Sequence, residues 1–168
     1  GLRVVGGCIS LTNIAIPHGV TSLGEWAFDS CTSLASITIP DGVTSIGLGV
    51  FHDCASLTNI TIPDGVISIG DYTFDNCSSL TGITIPDSVT SIGDWAFYSC
   101  TNLPSITIPD GLTSIGLGAF HNCCSLTTTP IPDRLISIGA HTFYTTLPRP
   151  ASTPSLYTHR LLTDTSHN

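Results

Sequence analysis

Apolar and polar positions along this chain alternate in short bursts that return on a fixed beat. Over 34–39, Leu34, Ile37 and Ile39 are apolar while Ser36 and Thr38 are polar. That in-out alternation is the pattern of a half-buried strand, and Ile and Thr favour it. Pro40 ends the strand, and Pro40-Asp41-Gly42 is a turn signal. Further along each unit comes a segment such as Ile92-Gly-Asp-Trp-Ala-Phe97. It predicts a short helical or 3₁₀ turn on the opposite side, too short to be a stable helix alone.

The beat never varies: Pro17, Pro40, Pro63, Pro86, Pro109 and Pro132 are evenly spaced. The same spacing separates Phe28, Phe51, Phe74, Phe97, Phe120 and Phe143, and also Leu11, Leu34, Leu57, Leu80, Leu103 and Leu126. The frame reads L-x-x-I-x-I-P-x-x-V-x-x-I-G-x-x-A-F-x-x-C-x-x. A longer period lies beneath it. Residues 21–77 aligned on 90–146, a shift of three repeats, agree at 38 of 57 positions. Tandem duplication of a three-repeat block is the simplest account. So short a unit cannot bury its own apolar side, so coils stack into one core and each touches only its neighbours. Strands of successive coils then pair in parallel, about 4.8 Å apart.

This frame resembles the BspA-type leucine-rich repeat over residues 4 to about 145. The resemblance implies an α/β solenoid: a leucine-rich repeat horseshoe with a parallel β-sheet on the concave face and short helical or 3₁₀ turns on the convex face. It also implies a surface or secreted protein of a bacterium or protist, often linked to adhesion, in a family not known for enzymes. Residues 1–146 then form a solenoid of about six repeats, the first truncated. Residues 147–168 lack the period and read as an irregular tail that could cap the last coil.

In a stack, function shows as a column of side chains. Cys8, Cys31, Cys54, Cys77, Cys100 and Cys123 form one. They lack metal-ligand spacing such as C-x-x-C, and side chains stacked in one direction have poor disulfide geometry. A structural ladder of small buried thiols fits them. Cys124 stands in another column and reads as a partly exposed thiol or a partner for an intermolecular bridge. Asp41, Asp64, Asp87 and Asp110 follow the strand. Calcium takes several oxygen ligands, which makes them candidates for it, but turn capping after Pro accounts for them without any metal. No motif implies a cofactor.

The strand face presents Ser36, Thr38, Asn59, Thr61, Thr84, Ser105 and Thr107, a hydroxyl-rich and uncharged surface. It reads either as a solvated β face or as the surface that meets a protein or glycan ligand. Trp26, Tyr72, Trp95 and His141 share a column with Gly49 and Gly118. The glycines interrupt any continuous ring stack, so the rings read as half-buried cover for the turn or as an interface, which Trp and Tyr suit. Asp29, His52 and Asp75 fall in one column on successive coils and predict a small charge ladder. Tyr98, His121 and Tyr144 hold the matching places after the duplication. Asn59-Ile-Thr61 and Asn76-Cys-Ser78 are acceptor sequons for N-glycosylation.

Charge sharpens this picture. Only 10% of residues are charged, with twelve acids against four arginines and no lysine, a net charge of −8. Without clustered cations, nucleic acid is excluded as a partner, and anionic membranes are disfavoured by sign. No apolar run approaches the roughly 20 residues of a membrane-spanning helix, so direct membrane insertion is not expected. No nucleophile–base constellation stands out. Together with the BspA-type resemblance, which implies surface display and adhesion, these features lead to the expectation of a non-enzymatic extracellular or cell-surface scaffold for adhesion, or for protein or glycan recognition through the concave sheet. The repeat register begins at Val4 and Val5 with no polar cap before it. That reads as a processed protein or a fragment of a longer array. It makes copies of itself an alternative partner, in end-to-end filaments.

Overall fold

The computed structural model describes residues 6–127 and 129–145. The expected tail over 147–168, the register residues Val4 and Val5, and Thr146 lie outside the described residues.

The coils are strung on two parallel sheets, where the sequence pattern predicts one. The first contains β1 (Asn13–Ala15), β3 (Ser36–Thr38), β5 (Asn59–Thr61) and β7 (Gly82–Thr84). The second contains β2 (Ser22–Leu23), β4 (Ser45–Ile46), β6 (Ser68–Ile69), β8 (Ser91–Ile92), β9 (Ser114–Ile115) and β10 (Ser137–Ile138). Their orders are β1-β3-β5-β7 and β2-β4-β6-β8-β9-β10. Pairing advances by one repeat at every step: Ser36 faces Asn59, Asn59 faces Gly82, and Ser22 faces Ser45. The turn that separates the two strands of a coil is closed by a bond from Val43 N to Pro40 O at 2.9 Å, repeated at Val66 and Val89. Ser then points outward and Ile inward in the short second strand. Two residues are too few to show as an alternation in sequence, so the pattern gives no sign of this sheet.

The first sheet stops early. In the fifth coil Ser105 makes a single bridge, and Ile106 and Thr107 do not continue it as a strand. Pro104 is the cause. Its counterparts Ala35, Thr58 and Thr81 donate N–H to the preceding coil, to Thr12 O, Ala35 O and Thr58 O. Proline has no N–H to give. Ser105 and Thr107 are nevertheless exposed on either side of the buried Ile106, the alternation of the earlier strands without their continuous pairing.

The third side is also a correction. None of the described residues is helical. Instead each coil runs through consecutive tight turns. Ala27, Asp29 and Cys31 donate N–H to Gly24, Trp26 and Phe28 within the coil. The alternate residues Trp26, Phe28 and Ser30 donate N–H to Leu48, Val50 and His52 of the next coil, at 2.8–2.9 Å. Trp26 and Ser30 sit in the left-handed region, at φ 57° and 58°, which a helix excludes. So short a segment cannot meet the cost of helix nucleation. A neighbouring coil offers carbonyls at every second residue, so all these N–H groups are satisfied without a helix.

Between the three sides lies one core. Phe28, Phe51, Phe74, Phe97, Phe120 and Phe143 stack along the axis with centroids 5.1–5.5 Å apart and planes within 16° of parallel. Leu34, Leu57, Leu80, Leu103 and Leu126 are fully buried beside them.

Candidate functional site

The cysteine column belongs to this core. Cys54, Cys77 and Cys100 donate Sγ–H to the carbonyls of Phe28, Phe51 and Phe74 at 3.2 Å, and Cys123 donates to Phe97 O at 3.0 Å. Each thiol thus ties one coil to the coil before it. Burial pushes Cys54 and Cys123 up to about 12 and holds Cys77 and Cys100 well above the ordinary thiol range. Thiols that stay protonated are poor nucleophiles and metal ligands. Cys31 is buried in the same way, but Cys8 is exposed and does not share the core environment. Cys124 is exposed, with Sγ 3.2 Å from Asn122 Oδ1.

The strand face presents an uncharged polar surface. Ser36, Thr38, Asn59, Thr61 and Thr84 are exposed on the first sheet, and Ile37 and Ile60 between them are buried. Beside the strands, Thr58 Oγ1 and Thr81 Oγ1 donate to Ala35 O and Thr58 O at 3.2 Å, bracing successive coils. Asp41, Asp64, Asp87 and Asp110 are all exposed. Among the described residues no group of three or more His, Cys, Asp or Glu side chains could hold a metal ion. Asn59 is exposed on the sheet. Asn76 is exposed on the turn side, where its Nδ2 donates to Asp53 Oδ1 at 2.6 Å.

The turn side gathers most of the ring and titratable side chains. Trp26, Tyr72, Trp95 and His141 share the left-handed conformation with Gly49 and Gly118, at φ 56–59°. The glycines do not simply interrupt the rings. Trp26 lies across Gly49, where a Cβ would collide with the indole, and its ring comes within 6.5 Å of Tyr72, tilted by 29°. Trp95 lies across Gly118 in the same way.

The expected charge ladder is present. His52 Nδ1 is 2.8 Å from Asp29 Oδ1 and 3.6 Å from Asp53 Oδ2, and His52 Nε2 is 3.7 Å from Asp75 Oδ2. Burial pushes the Asp75 carboxyl up to about 6, with His52 opposing that rise and Asp53 adding to it. Next to Asp75 the surface opens into a cavity of about 310 Å³ lined by Tyr72, Asp75, Trp95, Tyr98 and His121. The sequence columns contain all five residues, but nothing in a column shows that side chains from three coils converge. His121 differs from its counterpart His52. Its Nδ1 is buried with no hydrogen-bond partner, and burial, then the nearby His141, lowers its pKa.

The repeat geometry has counterparts among known proteins. The model of the BspA type leucine-rich repeat region matches in six copies, over residues 4–85 and 67–147. The chain belongs to the BspA-type leucine-rich repeat family. Among solved structures, this BspA-type chain is similar to the T. pallidum leucine-rich repeat protein TpLRR, with 29% identity and a TM-score of 0.70 over 76% of this chain and 69% of that one. A leucine-rich cell surface protein of Faecalibacterium prausnitzii is 38% identical with a TM-score of 0.59, over 71% of this chain and 38% of that one. A leucine-rich repeat protein of Eubacterium ventriosum is 27% identical with a TM-score of 0.62, over 86% of this chain and 45% of that one. The BspA-type chain therefore spans about two thirds of TpLRR and less than half of the other two. No curated protein matches it in sequence.

Proposed function

We propose that this chain is a non-enzymatic recognition scaffold displayed at a cell surface, meeting a protein or glycan through the exposed face of its first sheet. The observation that carries this reading is the register of that face. Ser36, Asn59 and Gly82 form one row and Thr38, Thr61 and Thr84 a second. The rows offer hydroxyls and an amide with no charge among them. A long side chain is costly to order on binding, whereas Ser, Thr and Asn on a rigid sheet lose little freedom. The cell-surface relative of Faecalibacterium prausnitzii supports the placement. The face is distinct from the thiol ladder and from the turn side, and its strands hold the coils together through their backbone, which leaves the outward side chains of Thr38, Thr61 and Thr84 exposed.

The test is Thr61→Lys combined with Thr84→Lys, assayed on arrays of glycans and extracellular proteins. The scaffold reading expects any binding by the native chain to be lost while circular dichroism is unchanged. Binding that survives the double substitution would remove the sheet face from consideration.

A further inference from the structure

The two halves of the internal duplication place different chemistry on one backbone frame. In the first, Asp29 lies against His52, with Oδ1 2.8 Å from Nδ1, and Trp26 is edge-on to the imidazole at 5.4 Å. In the second, the places of Asp29, His52 and Trp26 are held by Tyr98, His121 and Trp95. Tyr98 brings no carboxylate to His121. The two rings instead stand 5.3 Å apart, tilted by 41°, and His121 Nδ1 stays buried without a partner. This second version borders the cavity of about 310 Å³, whose remaining lining comes from Tyr72 and Asp75 of the coil before.

The lining is electron-rich. Trp95 and Tyr98 meet at 79° with centroids 5.4 Å apart, and Trp95 meets His121 at 50° and 5.6 Å. The walls thus form a corner, not the flat platform on which a sugar ring stacks. Aromatic faces attract a cation within about 6 Å, most strongly where it is desolvated. The Asp75 side chain is only 13% exposed, and a largely buried carboxylate favours a cation beside it. His52 reaches it from one side at 3.7 Å. No lysine exists in the chain, and the net charge of −8 raises the local concentration of cations. The cavity is at the small end of the roughly 300–1,000 Å³ typical of ligand sites, which suits a headgroup and not an extended chain. Asp75 and His121 alone are too few to cage an inorganic ion: among the described residues no group of three or more His, Cys, Asp or Glu side chains could hold one.

We propose that the Tyr72–Asp75–Trp95–Tyr98–His121 cavity binds an alkylated ammonium group, the quaternary ammonium headgroup being the best fit. The rings of Tyr72, Trp95 and Tyr98, which line the cavity, contact its methyl groups, and Asp75 supplies the counter-charge. The site is on the turn side, away from the first sheet, so it stands or falls separately from the scaffold reading.

Choline chloride, titrated into the full chain by calorimetry and by the shift of the Trp95 indole N–H signal, tests it. Saturable binding is expected. The neutral isostere 3,3-dimethyl-1-butanol, with carbon in place of the charged nitrogen, should bind at least about tenfold more weakly. Asp75→Asn and Tyr98→Ala should each weaken choline binding by a similar factor, and Tyr98→Phe should retain it. Unchanged amide spectra of the variants would show that the fold is intact. Co-sedimentation with phosphatidylcholine vesicles, in addition to choline binding, would assign the cation to a lipid headgroup. Choline binding without it would assign a free or peptide-borne ammonium. Equal binding of the neutral isostere, saturation by methyl glucoside but not choline, no saturation by choline, or full affinity in Asp75→Asn would each overturn the proposal.

Discussion

The indole of Trp26 lies across Gly49, one coil further on, so closely that a β-carbon at Gly49 would stand inside the ring. The left-handed backbone at this column does not require glycine, because Trp26, Tyr72, Trp95 and His141 adopt it too. It is the neighbour's ring that excludes a side chain. The same relation holds between Trp95 and Gly118, three coils later.

Gly49→Ala should therefore destabilise the protein by about 1–3 kcal/mol through overpacking. Pairing it with Trp26→Ala should recover part of the loss, with a coupling of about 0.5–3 kcal/mol in a double-mutant cycle. Denaturant midpoints of the four proteins measure this. Strictly additive effects would show that the ring is not what demands glycine.

The thiols should divide by burial. Cys31, Cys54, Cys77, Cys100 and Cys123 are enclosed, whereas Cys8 and Cys124 are exposed. Under native conditions a thiol reagent such as iodoacetamide should modify two of the seven cysteines, and all seven after denaturation. Peptide mass spectrometry identifies which. Rapid native labelling of Cys77 would contradict the core ladder.

Removing the Cys77 thiol should also be costly. Cys77→Ala leaves Phe51 O without its inter-coil donor and opens a small void, a loss of about 1–3 kcal/mol. Cys77→Ser keeps a donor at the same place and should fall between the two proteins in denaturant midpoint.

Asp75 makes stability depend on pH in an unusual direction. Its carboxyl titrates near 6 in the fold, against about 3.9 in an unfolded chain. Between those values the native state holds the extra proton. The contribution of this group is therefore present below about pH 4 and lost as pH rises through 6. Asp75→Asn removes that loss. Its denaturant midpoint should match the native protein's near pH 4 and exceed it by a growing margin up to pH 7. A margin independent of pH would show that Asp75 is not the group responsible.

Much of this architecture was legible in the chain. The spacing of Pro40, Phe51 and Cys54 and their counterparts gives the coil, and the alternation about Ile37 gives the first sheet. The second sheet escaped because Ser45–Ile46 is too short to show a period. The convex helical turn was a wrong expectation: Trp26, Phe28 and Ser30 spend their N–H groups on the next coil. Of the candidate site residues, Asn59 and Thr61 are exposed on the sheet as the alternation predicts. Ser105 and Thr107 are exposed in the same way, but after Pro104 only a single bridge at Ser105 joins them to the sheet.

By itself, then, the sequence determined which side chains face inward, where each coil turns and how few charges the surface bears. These are properties of one repeat and its period. Only the tertiary structure decided what happens between coils. Asp29 closes on His52 at 2.8 Å, whereas Tyr98 leaves His121 Nδ1 unpaired beside a cavity. Both pairs are one repeat apart in the same columns. The difference arises because hydrogen bonds and ring contacts act over a few ångströms along the solenoid axis, between side chains that no single repeat contains.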